Sequence, residues 1–242
     1  MKNIIISIIL AAVMLFGAVA CTKTEAYELG TVDLRYADTL QIAEDCGITL
    51  RDDRVLDIET LESICDLARA MYSRYSSVTF EKYDANRQPV STTVNTQNKI
   101  SKNDIASLDS TPLNDQAVMA KEYVSYMFEL KNIVRMLIKN YVKDEAYYAW
   151  QYTPGINMIW PDFAVCDPQK AEYTDWNDFL ESYRSDSTAM PDYIEVYDDW
   201  VSYHKTSTGE YITVFPNNEE SAMLNKALEI EQAADAQYFA VK

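Results

Sequence analysis

The sequence predicts an α+β fold: a mainly antiparallel sheet built from hairpins, packed against one long and two or three shorter helices. Three observations carry this. After Pro112 no proline or glycine interrupts the chain until Pro154, and Met119, Tyr123, Met127, Leu130, Val134, Leu137 and Tyr141 recur at spacings of three and four. Residues 78–94 and 193–216 instead carry short alternating runs joined by turn residues, as hairpins do. Strand runs separated by short helical crossovers are missing, which argues against a parallel βαβ series.

The first twenty residues read as an export signal. Met1 and Lys2 precede the uncharged run from Ile4 to Ala20, which ends in the small residues Ala18-Val19-Ala20. These suit an ordinary signal peptidase. Together with Cys21 they also resemble the lipobox of bacterial lipoproteins, departing at Ala18, where that family carries Leu. The resemblance implies that Cys21 is lipidated and becomes the first mature residue. Residues 21–33 then form the lipidated Cys and a polar tether, and 34–242 one extracytoplasmic domain. Several acyl chains on one cysteine hold stably, at about 0.8 kcal/mol per buried CH₂. The alternative is a secreted soluble protein.

Within the domain, residues 34–50 suit one short strand or a turn of helix before Gly47. Leu61, Ile64, Ala68, Met71 and Tyr75 define an amphipathic helix over 57–75, acidic at its start and basic at its end as the helix dipole favours. Val78 and Phe80 alternate in a strand, Asp84–Gln88 turns, and Pro89 begins the return. Residues 95–111 are a polar loop or short helix. Thr111 caps and Pro112 opens the long helix, which spans about 45 Å. Its broad apolar face expects burial against a sheet or two helices. Residues 173–183 suggest a short helix, 193–216 strands with a hairpin at Ser207-Thr208-Gly209, and 219–237 a closing helix with Met223, Ala227, Ile230 and Ala234 on one side.

The formal net charge is −17, and residues 151–242 alone carry 17 acidic against 5 basic side chains. Such a surface repels nucleic acid, and its partner is more plausibly cationic, a metal or an uncharged glycan than an anion. Nothing has the Cys/His spacing of a zinc site, and glycine-rich phosphate loops and dinucleotide fingerprints are absent, so no cofactor is expected.

Tyr147, Tyr148, Trp150, Tyr152 and Trp160 crowd fourteen residues. Large rings with a polar edge serve both cores and recognition surfaces. The candidate ligand-binding residues are Tyr148, Trp150, Trp160, Asp162, Asp198 and Trp200; one strand through this region would put Asp198 and Trp200 on one face. Cys46 and Cys65 are the expected disulfide pair. Lys131, Arg135, Lys139 and Lys143, four apart, form a basic ridge for intramolecular ion pairs with the acidic C-terminal part, or for an anion. His204, the only imidazole, has Ser202 two residues away but no nucleophile elbow, and reads as a surface or edge-strand histidine.

The expected function is a lipid-anchored binding or interaction module of the bacterial cell envelope, non-catalytic. Its ligand would be a glycan, a peptide or a small cationic or neutral solute, with an envelope protein as a further partner. The alternatives are a structural envelope lipoprotein with no ligand, and a carboxylate-dependent glycan hydrolase built on Asp162, Asp192, Glu195, Asp198 or Asp199.

Overall fold

The computed structural model describes residues 29–54, 56–84, 88–97, 100–142, 147–149, 163–166, 192–197, 200–205 and 208–240. The leader, Cys21, the tether to residue 28 and the expected helix at 173–183 lie outside them. Among the described residues, five α-helices and two sheets make an α+β fold.

Strand β1 (Leu29–Asp33) comes first, and its presence shortens the expected tether. It pairs in parallel with β2 (Tyr75–Tyr83), Leu29 opposite Tyr75 and Val32 opposite Val78. The crossover between them holds two helices, α1 (Thr39–Cys46) and α2 (Ile58–Arg74). Neither Gly30 nor the irregular apolar spacing of LGTVD signals a strand; it is pairing with β2, and the packing of Leu29 and Val32 on the core, that makes one.

Local chemistry sets the helix ends. Asp38 accepts from the Leu40 N–H and Asp57 from the Thr60 N–H, each as an N-cap. Gly47, at φ +70°, ends α1 in the left-handed conformation and returns its N–H to Ala43 and Glu44. α2 runs into β2 without a loop. β2 and β3 (Pro89–Asn95) form the expected hairpin, Phe80 opposite Thr92 and Val78 opposite Val94. The polar stretch after it contains α3 (Lys102–Ala106), opened by a reciprocal capping box between Ser101 and Asp104.

The long helix, α4 (Leu113–Val142), has thirty residues. It is more central than its apolar face suggested, packing against α1, α2, α3, β2 and α5 (Asn218–Ala240). Every residue from Leu130 to Ile138 is buried, so this stretch has no solvated side. Arg54 closes its end, donating 2.8 Å to the Tyr141 carbonyl.

The second sheet is an antiparallel meander in chain order: β4 (Tyr147–Ala149), β5 (Phe163–Cys166), β6 (Tyr193–Val196), β7 (Val201–Lys205) and β8 (Glu210–Phe215). Ile194, Val196, Val201 and Phe215 join the same core cluster as the helices and first sheet. Gly209, at φ +67°, lies in the turn before β8. Among the described residues, no helix is long and apolar enough to cross a membrane.

Candidate functional site

Among the described residues, a cleft of about 610 Å³ opens where α2, α3, α4 and the start of α5 converge beyond the end of β3. Helical spacing brings Asp66, Arg69, Tyr72 and Ser73 to one face of α2, and Tyr123 and Tyr126 to one face of α4. Ser101, Lys102 and Asn103 come from the start of α3, Asn217 and Glu220 from that of α5. Its size is ordinary for a small-ligand site.

Three tyrosines form one wall. Tyr72 meets Tyr126 edge to face at 4.8 Å between centroids, and Tyr123 lies 6.0 Å from Tyr126 at a tilt. Tyr72 and Tyr123 are buried, while Tyr126 is half-buried. The Tyr72 hydroxyl donates to Glu129. The Tyr123 hydroxyl is buried with no hydrogen-bond partner, close enough to Glu220 and Arg69 to feel their charges. Burial pushes all three phenols up, so each stays protonated.

Beside them stands a fixed ion pair. Arg69 donates from Nε to Glu220 Oε1 at 2.7 Å and from Nη2 to Oε2 at 2.8 Å, with Nη1 2.9 Å from Asp66. Burial pulls the guanidinium pKa down, but the bonds and charge of Glu220 outweigh it and hold the group charged. Glu220 also accepts from the Asn217 N–H at 2.9 Å, and Asn217 Oδ1 caps the Glu220 N–H at the same distance. Lys102 pairs with Glu219 at the rim. A smaller concavity of about 300 Å³, lined by Glu62, Cys65 and Val214, shares Asp66, Arg69 and Asn217 with the cleft.

No protein family, curated protein or solved structure matches this chain. Its own geometry therefore carries the functional reading.

The expected site fares differently. Trp150, Trp160, Asp162 and Asp198 lie outside the described residues, and Tyr148 is placed only as the middle residue of β4. Trp200 is half-buried and stacks on Tyr197 at 4.3 Å, because residues 193–205 are two strands rather than one. The Tyr197 N–H donates to the Trp200 carbonyl at 2.8 Å, closing the connection between β6 and β7.

His204 also departs from expectation. It sits in β7, between β6 and β8, only 3% exposed and stacked on Tyr211 at 3.9 Å. Ser202 pairs with Glu195 across β6 and β7, and both are buried. Burial raises the Glu195 carboxyl although the Tyr197 hydroxyl donates to it at 2.9 Å. Burial likewise lowers His204, with Asp192 opposing.

The Cys46–Cys65 disulfide is not formed; both thiols are free and buried. Cys46 packs by Arg74 and Tyr75 at the end of α2, while Cys65 lies ten residues earlier on that helix, about 15 Å away along its axis. A disulfide needs Cα atoms within about 7 Å.

The basic ridge is partly enclosed. Lys131 and Arg135 are buried, because α4 is surrounded at that depth. Arg135 donates to the Glu81 carbonyl of β2, and Lys131 lies 5.6 Å from the Phe128 ring centre. Lys139 is half-buried, and Lys143 lies outside the described residues.

Sequence reasoning missed the cleft. Tyr123 reads as a core position of the long helix and Arg69 as a helix-end charge, while Tyr72 belongs to no expected pattern. The available signal was slight: Asp66, Arg69 and Tyr72 lie three apart in α2, along the edge of its buried stripe.

Proposed function

We propose that this protein is a lipid-anchored, extracytoplasmic, non-catalytic binding module whose recognition site is the tyrosine cleft. The observation that carries the reading is the cleft: a hollow of about 610 Å³ with ring faces, hydroxyls and amides on its walls and a locked ion pair beside them. Aromatic surface with a few fixed polar groups is the usual composition of a small-ligand site. The ligand classes are those of the envelope, a glycan, a peptide or a small neutral or cationic solute.

The anchor reading rests on Ala18-Val19-Ala20-Cys21 and on the shortness of the chain that follows. Cys21 precedes Leu29, the start of β1, by eight residues, a reach of roughly 27 Å when extended. Acylation of Cys21 would thus hold the cleft close to the bilayer, in contact with envelope components.

The full-length protein, purified in detergent, should gain thermal stability with one probe class from a panel of neutral oligosaccharides, neutral tripeptides and spermidine. Tyr126→Ala should abolish the gain. In cells, Cys21→Ser should move the protein from the membrane fraction to the aqueous one and remove incorporated palmitate. A second reading, a structural envelope lipoprotein, is favoured by the deep burial of Tyr72, Tyr75, Tyr123 and Tyr141 in the core. It expects no stability gain from any probe.

A further inference from the structure

Each charged side chain lining the cleft is already ion-paired. Arg69 is bonded to both Asp66 and Glu220, and Lys102 to Glu219. An anionic ligand would meet Asp66 and Glu220; a cationic one would meet Arg69 and Lys102. Breaking the Arg69–Glu220 pair to make room would strand a mostly buried charge. The buried Arg69–Glu220 pair therefore favours a ligand that leaves it in place, as an uncharged one does.

The rest of the lining narrows the class. Among the described lining residues Ile100 is the sole aliphatic one, so the apolar part of the surface is mainly aromatic. Hydroxyls and amides from Ser73, Thr96, Ser101, Asn103 and Asn217 stand beside the half-buried Tyr126 ring. Ring faces flanked by short donors and acceptors fit a molecule with apolar C–H faces and many hydroxyls.

One group in the wall has no partner. The Tyr123 hydroxyl is buried and makes no hydrogen bond, although phenylalanine would fill the same volume. A buried polar group without a partner destabilises the fold that holds it. Its presence in the wall of a cavity is explained if a ligand supplies the missing bond.

We propose that the cleft binds an uncharged glycan. One sugar face stacks on Tyr126, and that ring shifts enough for a sugar hydroxyl to reach Tyr123. The inference rests on the cleft being a binding site and adds the class of its ligand.

The test applies the full chain in detergent, alongside Tyr126→Ala and Tyr123→Phe, to an array of neutral and charged glycans. Melting temperatures are measured in parallel. The expected result is retention of at least one neutral glycan, persisting in 1 M NaCl. Tyr126→Ala should weaken it about tenfold or more and Tyr123→Phe roughly 3- to 10-fold. Tyr123→Phe should at the same time leave the unliganded melting temperature unchanged or raise it by roughly 2–4 °C. That opposition of sign separates a ligand-binding hydroxyl from a structural one, whose loss lowers both.

Failure to retain any neutral glycan overturns the proposal, as does retention that Tyr126→Ala leaves intact. Retention of charged glycans alone, lost in high salt, also overturns it. If spermidine or a tripeptide stabilises the protein through Tyr126 while the array stays blank, the binding module stands and the glycan inference falls. If nothing stabilises it, both fall.

Discussion

Arg69 and Glu220 stand 151 residues apart in sequence, yet two parallel hydrogen bonds of 2.7 and 2.8 Å join them across α2 and the first turn of α5. Glu220 also closes the N-terminal cap of α5 with Asn217. One carboxylate therefore docks a helix, starts it and shapes the cleft. Glu220→Ala should cost about 2–3 kcal/mol in urea unfolding. That is less than for a fully buried pair, because Arg69 remains a quarter exposed. The double variant Arg69→Met/Glu220→Leu should recover much of the loss. A negligible effect of the single change would mean that α5 docks by its apolar face alone.

The cysteines give a second check. Burial pushes the Cys65 thiol up to about 12 and Cys46 to about 11. The thiolate is the reactive form, so neither should take up iodoacetamide in the folded protein near pH 8. Both should be alkylated after denaturation without reductant. Peptide mapping reads the two sites separately, and a Cys46–Cys65 cross-linked peptide would refute the helix packing.

Two buried groups on one face of the second sheet make stability respond to pH in opposite senses. Burial raises Glu195, so above about pH 4.5 the folded state holds its proton longer than the unfolded chain. Stability then falls as pH rises through the folded-state pKa. Burial lowers His204, so as pH falls below about 6.5 the unfolded chain takes up the proton first. Stability is lost down to the folded-state pKa. Glu195→Gln should remove the first slope and His204→Gln the second. Urea midpoints from pH 4 to pH 8 check this; unaltered slopes in both variants would mean that neither group is desolvated.

Gly47 isolates a purely conformational effect. An added Cβ would meet nothing within 4 Å, but φ is +70°. Gly47→Ala should therefore cost about 1–2 kcal/mol through backbone strain alone, and Gly47→Asn less. Equal costs for the two would point to a steric cause instead.

The elements that local pattern dictates were legible in the sequence. The three-and-four spacing of α2 and α4, the hairpin at 78–94, the turn at Gly209 and the closing helix all lie close to where periodicity put them. Each depends on residues a few positions apart. Parallel pairing of β1 with β2 was not legible, because its partner lies more than forty residues away. The broken pattern of Leu29–Asp33 becomes a strand only once β2 is present.

For the candidate site the division is sharper. The sequence by itself determined an acidic, tyrosine-rich α+β chain and the expectation of an exported, lipidated start. Tertiary structure decided which tyrosines meet, that Lys131 and Arg135 are enclosed, and that His204 lies inside a sheet. The physical reason is that the cleft draws on segments near residues 70, 100, 125 and 218. Periodicity tells which face of a helix turns inward, but only packing decides what that face meets.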